Sequence, residues 1–219
     1  MNKISTVDQA IAKLEDGMVL MVAGFLGCGA PDTIIDAIVE KGIKDLTVIC
    51  NDTSFPDRGV GKLVANKQVK KVITSHIGTN PETGRQMNEG ELEVVLTPQG
   101  TIAEQVRAAG AGLGGVITPT GLGTIVEEGK QTIEIKGRTF LVEEPLRADL
   151  AILNASKADK KGNLVYELSA INFNPLMAMA ADTVAVEAEE IVEVGELDPN
   201  FVHTPHIFVD MIVKGGQNG

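Results

Sequence analysis

The chain has 219 residues, 43% of them hydrophobic and 22% charged, and carries a formal net charge of −11. That length and mix predict one soluble globular domain over residues 1–219, and the acidic balance argues against gripping a nucleic-acid backbone, which needs basic patches. Aromatics are 3% and Trp is absent, so the core has to be aliphatic, which suits a mostly parallel sheet with helices on both faces.

The opening "MNKISTVDQAIAKLEDG" is charged throughout and lacks the apolar stretch of a signal peptide. Ser5 and Thr6 are N-cap candidates, Gln9 has capping-box spacing to Thr6, and Ala10, Ile11 and Leu14 make one apolar stripe that Gly17 can close. "MVLMVAGF" then reads as a buried strand. "PDTIIDAIVEKG" reads as a helix, with Pro31 in the first turn and Gly42 as terminator. "LTVICND" is a second strand, "GVGKLVANKQ" a short helix and "KVITSHI" a third strand. After a polar stretch, "GTNPETGRQMNEGE", come the strand "LEVVLTP" and the helix "GTIAEQVRAAG". Strands alternating with helices predict right-handed βαβ units.

From Gly110 to Thr124 the chain is rich in Gly, Thr and Pro and is expected to be irregular. Residues 131–144 alternate about Lys136-Gly137 and predict a β-hairpin. "ADLAILNAS" is a buried strand, "KKGNLVYE" a turn and strand, "NPLMAMAA" a helix and "DTVAVEAEE" a strand, with "HTPHIFVDMIVKGG" at a sheet edge. No uncharged apolar run reaches the ~20 residues of a spanning helix. A cytoplasmic protein with no membrane partner is expected.

Chemistry concentrates at strand ends. Gly24, Gly27 and Gly29 fall between a strand and a helix, where loop N–H groups and the positive helix end suit an anion such as a pyrophosphate. Their spacing, G-x-x-G-x-G, is not a dinucleotide fingerprint, and a ligand-free tight crossover would also use it. Asn51, Asp52 and Thr53 end the second strand, Ser75 and His76 the third, and Gln99 follows the fourth. A Gln amide there can stabilise a carbonyl oxygen gaining charge, or cap the next helix. His76 is a candidate acid or base, yet spacing assembles no Ser or Cys nucleophile around it. His203 and His206 lack the carboxylates of a metal site, and no metal is expected. Glu82, Glu91 and Glu93 read as solvated surface. Cys28 and Cys50 fit no zinc pattern and read as buried, reduced residues, Cys28 being the more accessible. A binding module and an enzyme subunit both remain open on these residues.

The stretch "DGMVLMVAGFLGCGAP" resembles the opening signature of the A subunit of family I (3-oxoacid) CoA-transferases, matching at Asp16, Gly17, Gly24, Phe25, Gly29 and Pro31 and departing at Ala23, where the family has Gly. "NDTSFPDRGVGKLV", "SHIGTNPETGRQM", "LTPQGTIAEQVRAAGAGLGG" and "NFNPLMAMAADTVAVE" extend the resemblance over almost the whole chain. It is nearest to acetate/butyrate–acetoacetate CoA-transferase α subunits. The resemblance implies the CoA-transferase fold, related to that of ribose-5-phosphate isomerase, with the hairpin as an addition. It implies a heteromeric enzyme of short-chain fatty acid metabolism, of α2β2 type, whose B subunit carries the nucleophilic Glu in a Ser-Glu-Asn-Gly motif that this chain lacks. Its substrates would be coenzyme A thioesters and short-chain carboxylic acids, with no permanently bound cofactor. Gln99 would donate to the oxyanion, Asn51 would support the acyl site, and Gly24, Phe25, Leu26, Gly27, Cys28, Gly29 and Ala30 would contact coenzyme A. A succinyl-CoA:3-oxoacid enzyme, a sugar-phosphate isomerase-like protein and a non-catalytic CoA-binding domain are the alternatives. "GAGLGG" and "NFNPLMAMAA" are candidate interface segments.

Overall fold

In the computed structural model, which describes residues 2–216, the aliphatic runs become neighbouring strands of one sheet. Helix α1 (Val7–Ala10) is followed by β1 (Val19–Val22), α2 (Asp32–Lys41), β2 (Leu46–Cys50), α3 (Gly61–Ala65) and β3 (Val69–Thr74). Then come α4 (Pro81–Asn88), β4 (Glu93–Leu96) and α5 (Gln99–Gly110). A small antiparallel sheet follows, made of β5 (Val116–Thr118), β6 (Thr132–Ile135) and β7 (Arg138–Glu143) in the order β5-β7-β6. The chain returns through β8 (Ala148–Asp159), β9 (Leu164–Val165), α6 (Asn174–Met177), β10 (Ala181–Val192) and β11 (Met211–Lys214).

The main sheet runs β11-β10-β8-β1-β2-β3-β4, parallel along that path, with β9 antiparallel beside β8. Leu20 of β1 lies between Val48 of β2 and Leu150 of β8. Side chains alternate across the sheet, so each strand feeds two cores. Leu20 and Val22 pack with Ile34, Ile35 and Ile38 of α2, whereas Met21 and Ala23 pack with Ile102 and Val106 of α5 and Met177 of α6. The helices therefore cover both faces, as the aliphatic composition predicts.

Several expectations hold in detail. Thr6 and Gln9 form the capping box, and Gly42 ends α2 in the left-handed conformation. Carbonyls at the end of α2 are also met by Gln68, 2% exposed, whose Nε2 donates to Ile38 O at 2.9 Å and to Ile43 O at 2.8 Å. Gln68→Met should therefore lower stability by about 1–3 kcal/mol, because Ile43 O loses its side-chain donor out of water while Ile38 O keeps only the Gly42 N–H. A urea midpoint equal to the parent's would show that they find another donor.

Other expectations need correction. The polar stretch after β3 contains α4. Asn80 caps it by accepting from the Glu82 and Thr83 N–H groups, and Pro81 takes the first turn. Its buried residues are Thr83 and Gln86, so it has no apolar stripe to read. Its outer face is an ion-pair cluster of Arg85 with Glu82, Glu89 and Glu91. The hairpin at 131–144 recruits β5 from the segment expected to be irregular, and α1 and α6 are single turns. Among the described residues, no helix is long and apolar enough to cross a membrane.

Candidate functional site

Parallel pairing of β1, β2, β3 and β4 brings their carboxyl ends to one rim. Asn51, next after β2, is 2% exposed. Its Nδ2 donates to Gly24 O, past the end of β1, at 3.3 Å. Its Oδ1 accepts from Gln99 Nε2, and Gln99 Oε1 contacts the Ser75 hydroxyl after β3. The same hydroxyl lies 2.7 Å from Asn51 O. Gln99 opens α5 but does not cap it: the exposed side chain turns instead to the ends of β2 and β3. A primary amide has two donors, and Asn51 takes one, so Gln99 keeps an N–H to offer. Asn51 is buried and holds Gly24 O and the Gln99 amide. The sequence marks Ser75 only as a polar strand end, and its pairing with Gln99 emerges from the sheet register.

The loop after β1 is a two-residue turn. Phe25 and Cys28 exchange backbone hydrogen bonds of 2.9 Å, and Leu26 (φ +50°) and Gly27 (φ +87°) fill the middle with the left-handed pair such turns require. Its amides do not all face outward, as expected for an anion cradle. The Leu26 N–H donates inward to both Asp52 carboxylate oxygens, at 3.0 and 3.2 Å. Asp52, 4% exposed, also accepts from the Ser54 N–H at 2.7 Å. Burial pushes its carboxyl above the ordinary range, against the pull of those two amides and of His76.

The N-terminus of α2 is likewise taken. Glu187, on β10 and 3% exposed, accepts from Thr33 N at 2.8 Å, Ile34 N at 3.3 Å and Thr33 Oγ1 at 2.7 Å. The protein's own carboxylates thus take the Leu26 amide of the loop and the Thr33 and Ile34 amides at the start of α2. Gly27 and Gly29 keep amides with no acceptor among the described residues.

Residues 168–174 form one wall of this loop, a contact the sequence did not signal. Asn172 Nδ2 donates to Cys28 O at 3.1 Å and Asn174 Nδ2 to Gly29 O at 3.2 Å, while Ser169 Oγ lies 3.2 Å from Cys28 Sγ. A Cβ at Gly29 would stand 3.0 Å from the Ala170 backbone, so this glycine permits a close approach. Ala23, where the resembling family has Gly, is 3% exposed and packed in the core beside Met21. Its methyl stays off the loop's outer face.

The remaining candidates scatter. Cys50 is buried, which pushes its thiol up to about 12, but Cys28 is exposed, contrary to the buried reading. His76 is exposed and pairs through its backbone with Asp52 and Thr53. His203 Nδ1 accepts from Tyr166 N at 3.0 Å and its ring stacks on Tyr166, a structural role. Among the described residues no three His, Cys, Asp or Glu side chains gather as a metal site. Glu82 and Glu91 serve Arg85, and Glu93 pairs with Lys71 on the surface. The two candidate interface segments meet each other, since a Cβ at Gly110 would fall 2.6 Å from Met179 Cβ.

Residues 4–215 match the family model described as Coenzyme A transferase. The chain is similar to the acetate CoA-transferase subunit alpha of Escherichia coli K12, at 56% identity over 99% of this chain and 98% of that one. It is similar also to the acetoacetyl-CoA:acetate/butyrate CoA transferase alpha subunit of Clostridium acetobutylicum, at 49% identity over 97% of this chain and 98% of the other. Among solved structures, an acyl-CoA transferase of E. coli O157:H7 in a thioester complex with CoA superposes with a TM-score of 0.88 at 22% identity. The superposition covers 100% of this chain and 48% of the solved one, so this chain spans about half its length. At that identity the likeness speaks for the fold, a mostly parallel α/β sheet.

Proposed function

The chain belongs to the Coenzyme A transferase family, and on that premise we propose that it is the α (A) subunit of a heteromeric enzyme, of α2β2 type. The enzyme would move coenzyme A between a short-chain acyl-CoA and a 3-oxoacid such as acetoacetate. The observation that carries this reading is the rim cluster of Gln99, Asn51 and Ser75. It offers donors to a carbonyl but no nucleophile, because the adjoining carboxylate, Asp52, is committed to the Leu26 and Ser54 amides. By the chain's resemblance to the family, the attacking carboxylate is a glutamate supplied by a partner subunit. It adds to the thioester carbonyl, the C–S bond breaks, and the thiolate leaves an acyl-glutamyl anhydride. The thiolate attacks the glutamyl carbonyl and releases the free acid, leaving coenzyme A on the partner as a thioester. A second carboxylate reverses these steps and departs as the new acyl-CoA.

At each addition the carbonyl oxygen gains charge, and a donor fixed in place lowers that barrier without having to reorganise. Gln99 is such a donor, held by Asn51 and Ser75. Gly24 through Ala30 would border the coenzyme, and no permanent cofactor is needed. The acyl chain and the acid are selected where the two subunits meet, and the cytoplasm is the proposed location. The test is reconstitution with the partner subunit, acetoacetate, and acetyl- or butyryl-CoA, following acetoacetyl-CoA. Turnover is expected only in the mixture. Full turnover by this chain alone would refute the shared site, and binding of coenzyme A without transfer in the complex would favour a non-catalytic domain.

A further inference from the structure

The loop assigned above to coenzyme A is charged against the coenzyme's phosphates. Directly beneath it lies Asp52, with both carboxylate oxygens on the Leu26 amide. Behind it, Glu187 fills the N-terminus of α2 with three hydrogen bonds. Asp32, in the first turn of that helix, is 3.0 Å from Lys62, whose charge it shares with Asp36 at 2.7 Å. Arg58 lays its stem where a Gly27 side chain would go, and its largely exposed guanidinium reaches away over the Phe55 ring at 5.3 Å, in a loose surface pair with Asp57 at 3.8 Å.

What the loop shows outward is neutral. Phe25 is 47% exposed, Cys28 is exposed, and Leu168 and Ile171 of the covering wall are 94% and 41% exposed. The same loop carries the amides of Gly27 and Gly29, which have no acceptor among the described residues. The root of the loop is tied to the reacting end: Gly24 O accepts from Asn51, and Asn51 Oδ1 accepts from Gln99. A thioester with its carbonyl at Gln99 therefore meets the loop with the part of the molecule next to the sulfur.

We infer that Phe25 through Gly29 line the path of the uncharged, amide-bearing pantetheine arm, and that the phosphates of the coenzyme are held away from this loop. Apolar side chains would cover the arm's methylenes, while isolated backbone donors would serve its amide oxygens. This rests on the loop being a coenzyme A contact, and the experiment separates the two claims.

Phe25→Ala and Cys28→Leu each change an exposed side chain outside the core, and each is assayed in the complex with the partner subunit. The measured constants are KM for acetyl-CoA, KM for acetyl-pantetheine and the inhibition constant of adenosine 3′,5′-bisphosphate. In at least one variant both KM values should rise by the same factor, roughly 10-fold for one lost or obstructed apolar contact, with bisphosphate inhibition unchanged. A weakened bisphosphate with an unchanged acetyl-pantetheine KM would overturn the inference and leave the loop as a coenzyme A contact. No change in any of the three constants in either variant would overturn both claims.

Discussion

Gln99→Ala is expected to lower kcat of the reconstituted complex by roughly 10²-fold or more, the loss typical of a fixed oxyanion donor. The acyl-CoA KM should change far less, because the contact strengthens only as the carbonyl oxygen takes on charge. The geometry is the reason to expect so large an effect from an exposed side chain. Both ends of the Gln99 amide are engaged, with Nε2 on Asn51 and Oε1 beside Ser75, so the remaining N–H points in a set direction. Ser75→Ala frees one end but leaves the donor in place, and a drop of about 10-fold or less is expected. If Gln99→Ala turned over at the parent rate, Gln99 would be a surface residue that happens to touch Asn51. If it raised KM and left kcat alone, its contact would belong to binding rather than to the developing charge.

The second large effect is on folding. A Cβ at Gly61, the first residue of α3, would lie 1.8 Å from Phe55 O and 2.6 Å from the Phe55 carbonyl carbon. Both atoms are backbone, so no rotamer change relieves the overlap. The turn Phe55–Arg58, which closes on itself through a Phe55↔Arg58 bridge, would have to move away from the helix it precedes. Gly61→Ala should cost about 3 kcal/mol or more, beyond ordinary overpacking. Gly84→Ala is the internal comparison. It lies inside α4 with nothing within 4 Å of its would-be Cβ, and is expected to gain about 0.5–1 kcal/mol from helix propensity. Urea midpoints below and above the parent's, respectively, are the expected pair. Equal midpoints for Gly61→Ala and the parent would mean that the turn yields without loss.

The sequence announces what depends on local pattern. Thr6 with Gln9, Gly42 after α2 and the aliphatic runs of β1, β2 and β8 each carry their signal within a few residues. It hides α4, whose inward residues are Thr83 and Gln86, because hydrophobic period sees only apolar faces. The site divides in the same way. Gly24, Asn51 and Gln99 could be picked as strand-end residues, but their mutual contacts depend on sheet order, which no single segment encodes. Asp52 is legible as a polar strand end, and Glu187 only as an acidic residue of a strand. That they neutralise the Leu26 amide and the start of α2 follows from β2 and β10 reaching the same loop in space. The sequence shows the loop's donors but not their partners, so it cannot tell the engaged Leu26 amide from the free amides of Gly27 and Gly29.

The outermost strand on one side of the main sheet, β11, is covered by the chain's own beginning. Ser5 N donates to Ile212 O at 2.8 Å and Ile212 N donates to Lys3 O at 2.9 Å, with Ile4 opposite Ile212. The short segment works as a latch over hydrogen-bonding groups that would otherwise be free to recruit a foreign strand. Trimming it would leave the Gln99–Asn51–Ser75 rim in place but uncover a template for intermolecular pairing, so solubility is expected to suffer before turnover does.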